Sequence, residues 1–388
     1  METTNMRLSN FALNYPPSGI RVMFNLAAGY PDAIKLTLGE PNFVTPTFIN
    51  EAAKRALDEG KVHYAPNSGV LELRRTVAQV SQDIWPGATE NNVTITCGAL
   101  EALTLGLVAT LNSGDEVLVP SPGFPAYLGQ VMITGAIPVT VPVYEENSFK
   151  IKAEDIKKAI TPKTKALILN SPSNPLGSVL DQAEIEAIAK VALENDLIVF
   201  SDEVYDKLIF DGEHFSIASI PEMSGRVFVT NSFSKTFAMT GWRIGYLIAP
   251  AEYSVRLGQL QESLVSCVST FSQWAAIEAL NAPPDAVQEM RSHYLRRRNL
   301  VVDGLNAIPG ITCDMPAATF YAFANIKALG QTSQQLAENL ITKAGVVIVP
   351  GTAFGNEGEG YIRIVFANSD ENLLEALRRI DNYVRSLS

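Results

Sequence analysis

Arg226-Val227-Phe228-Val229-Thr230, followed by Asn231-Ser232-Phe233-Ser234-Lys235, is the stretch that decides how this chain folds and what it can hold. The first five residues read as a short buried strand. The next five place an amine among hydroxyls at the mouth of that strand, and Arg243 follows eight positions after Lys235. An amine so placed suits a position beside a phosphate. A Schiff-base lysine holding a phosphorylated aldehyde cofactor needs that setting. The plain alternative is a solvated lysine at a strand end, the usual setting for lysine.

Outward from this stretch the same pattern repeats. Val93-Thr94-Ile95-Thr96, Glu116-Val117-Leu118-Val119, Ala166-Leu167-Ile168-Leu169 and Leu197-Ile198-Val199-Phe200 read as strands buried on both faces. Helical patterns over 100–111 and Gln182–Glu194 separate them. Asn112-Ser113-Gly114-Asp115 and Asn195-Asp196 mark the helix ends. After about residue 280 the pattern changes. A long charged helix over 285–307 carries Arg296-Arg297-Arg298, expected on a solvated face. Short strands over 319–324, 346–349 and Tyr361–Val365 follow, with helices over 333–342 and 370–387. The expected class is α/β: a large domain with a mostly parallel sheet covered by helices, plus a smaller α+β domain formed by both termini. The expected boundaries are 1–45 joining the small domain, 46–282 for the large cofactor-binding domain, and 283–388 for the small one.

The chain has 388 residues, 47% of them hydrophobic, and a formal net charge of -11. An acidic chain without a basic tract is a poor binder of nucleic acid or anionic membrane. Cys97, Cys267 and Cys313 lie far apart, so zinc ribbons and redox dithiols lack support, and buried reduced thiols are expected. His63, His214 and His293 follow no metal-ligand spacing, so no metal is expected, and loop or surface roles are assigned to them. No apolar run approaches the ~20 residues of a membrane span, and no leader pattern opens the chain. A soluble, cytoplasmic protein is expected.

Open parallel sheets bind ligands beyond the carboxyl ends of their strands. After Thr96 comes Cys97-Gly98-Ala99-Leu100, where a helix start favours an anion and Gly98 lets it approach. After Leu169 comes Asn170-Ser171-Pro172-Ser173-Asn174-Pro175-Leu176-Gly177, after Ser201 comes Asp202-Glu203-Val204-Tyr205, and after Thr230 come Ser232, Ser234 and Lys235. Each has an ordinary alternative: a turn, a helix cap, a solvated amine. Together, at one sheet edge, they make an anion cradle, an amide, a carboxylate with a phenol, and an amine.

These residues resemble the class I/II aminotransferases of the aspartate aminotransferase fold, which use pyridoxal 5′-phosphate. The resemblance runs from Leu38-Gly39-Glu40-Pro41 to Arg363. It rests on Tyr64 with Asn67-Ser68-Gly69, Asn174-Pro175-Leu176-Gly177, Asp202-Glu203-Val204-Tyr205, Ser232-Phe233-Ser234-Lys235 and Gly241-Trp242-Arg243 in that order. It implies that Lys235 bonds to the cofactor aldehyde and then moves a proton at the substrate α-carbon. Asp202 is implied to pair with the pyridine nitrogen, and Tyr205 and Asn174 with the ring oxygen. Ala99, Leu100, Ser232, Ser234 and Arg243 are implied to hold the phosphate, and Phe124 to stack on the ring. Tyr64 is implied to reach the phosphate of a second subunit, making a homodimer with shared sites. Arg363 matches the clamp for the substrate α-carboxylate, with Gly39 and Asn174 beside it. Ile20, in Gly19-Ile20-Arg21, lies in a segment that often touches substrate. The Ser121–Pro122 and Asn174–Pro175 bonds fall where the family often has cis peptides.

Departures bear on the substrate. The stacking position holds Phe124 where some relatives have tryptophan, and Leu100 stands where some have a lysine that reads an acidic side chain. The stretch 257–290, where others carry an arginine for a second carboxylate, contains no arginine or lysine. Aromatic or other uncharged amino donors are therefore expected, with a 2-oxo acid as acceptor, although Arg21 could restore dicarboxylate binding. Three rival readings exist. Ser232-Phe233-Ser234-Lys235 also fits the S-x-x-K nucleophile motif, but the K-T-G partner is absent. A β-lyase, decarboxylase or racemase can share every residue named, because the cofactor carries the chemistry. A non-catalytic sensor domain would bring a DNA-binding module, for which the first forty residues leave little room.

Overall fold

The computed structural model of the protein describes residues 7–15, 19–283 and 285–387. The first strand, β1 (Ile34–Lys35), belongs with the far end of the chain. Seven strands then build the central sheet: β2 (Val93–Thr96), β3 (Glu116–Ser121), β4 (Ile137–Pro142), β5 (Thr164–Asn170), β6 (Ile198–Asp202), β7 (Val227–Ser232) and β8 (Gly245–Ile248). Their spatial order is β2-β8-β7-β6-β5-β3-β4. All pairings are parallel except the two made by β8. β2, β5, β6, β7 and β8 are buried almost end to end, since helices cover both faces of the sheet. The sequence pattern anticipates β2, β3, β5, β6 and β7. It misses β4, whose edge position leaves it half exposed, and β8, whose Gly245-Tyr246-Leu247-Ile248 is too short to stand out.

Past the sheet come β9 (Tyr321–Asn325), β10 (Val346–Val347), β11 (Val349–Pro350) and β12 (Tyr361–Val365). β9, β12 and β11 form an antiparallel sheet, and β10 pairs in parallel with β1, Ile34 opposite Val346. The expected single strand over 346–349 is thus two short ones serving different sheets. A continuous apolar core joins Met23 and Leu36 to Val301, Ile362, Phe366 and Ile380, so residues near both ends of the chain bury one surface. A separate core under the central sheet includes Leu167, Val199 and Val227, and a third on its other face centres on Phe200 and Phe228.

Register positions the chemistry. Asn170 stands opposite Asp202, and Asp202 opposite Thr230, across three neighbouring parallel strands. Whatever follows each strand therefore emerges at one edge. The Ser121–Pro122 and Asn174–Pro175 bonds are cis as expected, and Ser171–Pro172 is cis as well.

Three sequence expectations need correction. The run Arg296-Arg297-Arg298 does not lie on a solvated face: Arg297 and Arg298 are buried, and only Arg296 is exposed. Consecutive helical positions point in different directions, so one run serves two faces of the helix Asp285–Asn306. Arg297 bonds Asp370 and Asn42 at 2.9 Å, tying this helix to the start of the last one. His214 lies in a loop, as expected, but its side chain is largely covered rather than at the surface, with Nε2 2.7 Å from buried Glu203. All three cysteines are free, but only Cys313 is buried, and Cys97 and Cys267 are partly so.

Replacing Arg297 by alanine strips a buried cation from Asp370. It is expected to lower the unfolding free energy by about 2 kcal/mol, against less than about 0.5 kcal/mol for Arg296→Ala. Urea unfolding of the two variants checks this.

Candidate active site

The strand ends open on a cavity of about 560 Å³. Gly39, Ala99, Leu100, Phe124, Asn174 and Asp202 line it, and so do Tyr205, Ser232, Ser234, Lys235, Arg243 and Arg363. The structure thus brings together twelve of the fourteen residues singled out from sequence. Tyr64 is elsewhere, at the surface and 90% exposed. The side chain of Ile20 lies outside the described residues, although its backbone is part of the helix Gly19–Leu26.

Lys235 sits on a one-turn helix, Phe233–Thr236, that starts where β7 ends. Ser232 caps this turn: its hydroxyl accepts the Ser234 N–H at 3.0 Å and donates to the Ser234 hydroxyl at 2.8 Å. Lys235 Nζ donates to the Gly39 carbonyl. Burial, which disfavours the charged amine, pushes its pKa down to about 8; Glu40 opposes this, while Arg363 and Arg243 reinforce it.

Asp202 ends β6 and is buried. Its carboxylate accepts from the Tyr127 hydroxyl at 2.6 Å and, at a long 3.4 Å, from the Val204 N–H. Desolvation outweighs both bonds and pushes its pKa up to about 6. Next to it Glu203 turns away from the cavity. It takes 2.7 Å bonds from the hydroxyls of Ser201 and Ser216 and pairs with His214. Burial disfavours a charged His214, but Glu203 prevails and raises its pKa.

At the other side, Gly98 precedes the helix Ala99–Thr110 with φ 82° and ψ 174°, a conformation open only to glycine. A Cβ there would stand 2.7 Å from Arg243 Nη2. The Ala99 and Leu100 N–H groups, first in the helix, have no helical carbonyl to bond. Arg243 donates to the Thr240 and Cys97 carbonyls, which hold its guanidinium beside that helix start.

Arg363 lies in the middle of β12 and is 1% exposed. Its guanidinium lies over the rings of Tyr321 and Phe354, 4.6 and 4.7 Å from their centroids. It donates to Asn174 Oδ1 at 3.1 Å and to the Thr37 carbonyl. Its Nε is buried without a partner, and no carboxylate among the described residues pairs with it. A buried guanidinium with no acid to neutralise it is costly, and this one lines the cavity.

Sequence reading missed Tyr127 and Tyr321. The Tyr321 hydroxyl lies 2.7 Å from that of Tyr205, and a Cβ on Gly39 would stand 2.1 Å from it. Gly39 is thus fixed by a close approach. Tyr127 has a faint signal, one helical turn beyond Phe124 after the cis proline. Tyr321 has none, since it is one apolar residue of an ordinary strand.

The donor set fits a phosphorylated pyridine aldehyde. A helix start, two serine hydroxyls and an arginine offer a phosphate cradle. A buried carboxylate offers a partner for a cationic ring nitrogen, and an amine of depressed pKa offers a nucleophile.

The family described as "Aminotransferase class I and II" matches residues 31–380. The chain is 46% identical to an aspartate aminotransferase of Pyrococcus abyssi over 95% of its own length and 96% of the relative's. It is 44% identical to aromatic-amino-acid aminotransferase 2 of Thermococcus litoralis, covering 98% and 99%. The solved aspartate aminotransferase from Thermus thermophilus with maleate superposes with a TM-score of 0.92 at 37% identity, covering 97% of this chain and 100% of that one. The chain therefore belongs to the class I and II aminotransferases. It is a transferase of amino groups, and its cofactor is pyridoxal 5′-phosphate.

Asp202 gives a pH test. Its folded pKa of about 6 lies above the ordinary 3.8, so its contribution to stability is complete below about 3.8 and lost as pH rises through about 6. At pH 7.5 the buried carboxylate then costs roughly 3 kcal/mol. In protein stripped of cofactor, Asp202→Asn is expected to unfold at a higher temperature than the parent at pH 7.5, with the gap closing towards pH 4. Thermal melts across pH measure this.

Proposed function

We propose that this chain moves the α-amino group of an aromatic or other uncharged L-amino acid to a 2-oxo acid such as 2-oxoglutarate. The observation that carries the reading is Arg363, a buried guanidinium with an unpartnered Nε on the same cavity as Lys235. A substrate α-carboxylate is the partner such a fork lacks.

When bound, pyridoxal phosphate supplies an aldehyde that captures amines and a conjugated ring that accepts the electron pair released at the substrate α-carbon. Ala99 and Leu100 N–H groups, Ser232, Ser234 and Arg243 would hold its phosphate. Asp202 would hold its ring nitrogen in the cationic form, Tyr205 and Asn174 its ring oxygen, and Phe124 its face. Arg363 and Asn174, with Gly39, orient the substrate carboxylate, which places the α-carbon within reach of the amine. Lys235 Nζ, with its pKa near 8, takes the α-proton as a neutral base and carries it onward as an acid.

The donor preference rests on Leu38, Leu100, Leu103 and Phe124 in the cavity wall, and on the absence of arginine and lysine from 257–290. Arg21 also lines the cavity and is the residue that would serve an acidic side chain. Relatives named for aspartate and for aromatic amino acids leave both classes to experiment. We further read the chain as a cytoplasmic homodimer in which exposed Tyr64 reaches the partner's cofactor phosphate. The division into a large domain, 46–282, and a small one built from 1–45 and 283–388 belongs to the same reading.

Borohydride reduction of the holoenzyme is expected to fix the cofactor on Lys235, and Arg363→Lys to lower kcat/KM by about a hundredfold, ~2.7 kcal/mol. Adding one amino acid without acceptor should bleach the bound cofactor and release one keto acid per site. Specificity constants for phenylalanine, methionine and aspartate settle the donor. Aspartate ahead by tenfold or more, about 1.4 kcal/mol, overturns the preference stated here.

A further inference from the structure

We propose that a second cavity, behind the strand end that bears Lys235, binds a small organic carboxylate with an apolar body. This cavity measures about 350 Å³ and shares one wall residue, Ser232, with the active-site cavity. Its size falls at the lower end of the range for small-molecule sites. The end of β7, the turn after it, β8, the ends of the helices Leu71–Val80 and Thr270–Leu280 and the start of the helix Asp285–Asn306 line it, and one side opens to solvent.

Most of the lining is apolar: Val80, Ile84, Phe237, Tyr246, Leu280 and Val287. Its polar groups, which include Ser81, Thr236 and Gln288, are unequal. Lys207 and Asp206 lie 3.3 Å apart and neutralise each other. Glu203, another acid near Lys207, is already held by His214, Ser201 and Ser216, and Asp83 is exposed. Arg291 has no such acid. Its Nε donates to the Ile209 carbonyl at 2.6 Å, and no carboxylate among the described residues forms an ion pair with it. Asn231 is 2% exposed. Its Oδ1 accepts the Ser232 N–H at 2.7 Å, while its Nδ2 is buried with no acceptor. A buried amide donor without a partner is rare in native structures. The cavity thus combines an apolar bed, a charged fork and an unused donor, which is what a carboxylate on a hydrocarbon body satisfies.

The probe is 4-bromobenzoate, applied to the holoenzyme. Crystals soaked in it locate the bromine by anomalous scattering, and calorimetric titration gives the affinity. The expected result is bromine in the second cavity. Affinity should fall at least about tenfold in Arg291→Met and in Asn231→Asp, which keeps the acceptor for Ser232, but stay within about twofold in Arg363→Met. Bromine only in the active-site cavity overturns the proposal. So does a titration lost in Arg363→Met but unchanged in Arg291→Met, or a crystal peak with no solution binding up to about 10 mM. None of these outcomes bears on the aminotransferase reading.

Discussion

Three ionisable groups from two sheets line one cavity without forming an ion pair with one another, and the site depends on that arrangement. Among the described residues Arg363 has no acid partner, Asp202 has only hydroxyl and backbone donors, and Lys235 rests on a carbonyl. Desolvation dominates the pKa of each: it lowers the two cations and raises the acid. An isolated folding problem would select against such groups. A site that must receive an anionic substrate and a charged cofactor selects for them, because the ligands bring the missing charges.

Parallel pairing makes the arrangement possible. β5, β6 and β7 run in one direction with Asn170, Asp202 and Thr230 in register, so the amide, the acid and the amine emerge together. The antiparallel sheet completes the site from outside. β12 contributes Arg363, and β9 contributes Tyr321, which meets Tyr205 through a 2.7 Å hydroxyl contact. That contact and the Arg363–Asn174 bond join the central sheet to the antiparallel one across the cavity. Gly39 closes the ring, since its missing side chain leaves room for the Tyr321 hydroxyl.

Much of this was legible residue by residue. Lys235, Asp202, Asn174 and Gly98 each follow an apolar strand, and their types announce an amine, an acid, an amide and a cradle. Arg363 was picked out by the family resemblance, and its place between Ile362 and Ile364 marked it as part of a strand. Tyr127 and Tyr321 were not, because an aromatic in an apolar segment reads as packing whatever its hydroxyl meets. His214 was misread for the opposite reason: a polar residue in a loop gives no sign that Glu203 awaits it underneath.

The sequence by itself determined the alternation of buried strands and helices and the chemical types at the strand ends, because both are local properties of spacing and composition. Only the tertiary structure decided which arginine of Arg296-Arg297-Arg298 stays in water, which hydroxyl reaches Asp202, and where Arg363 is left unpaired. Exposure and partnership depend on segments hundreds of residues apart, such as Thr37 against Arg363, and a linear pattern carries no distance between them.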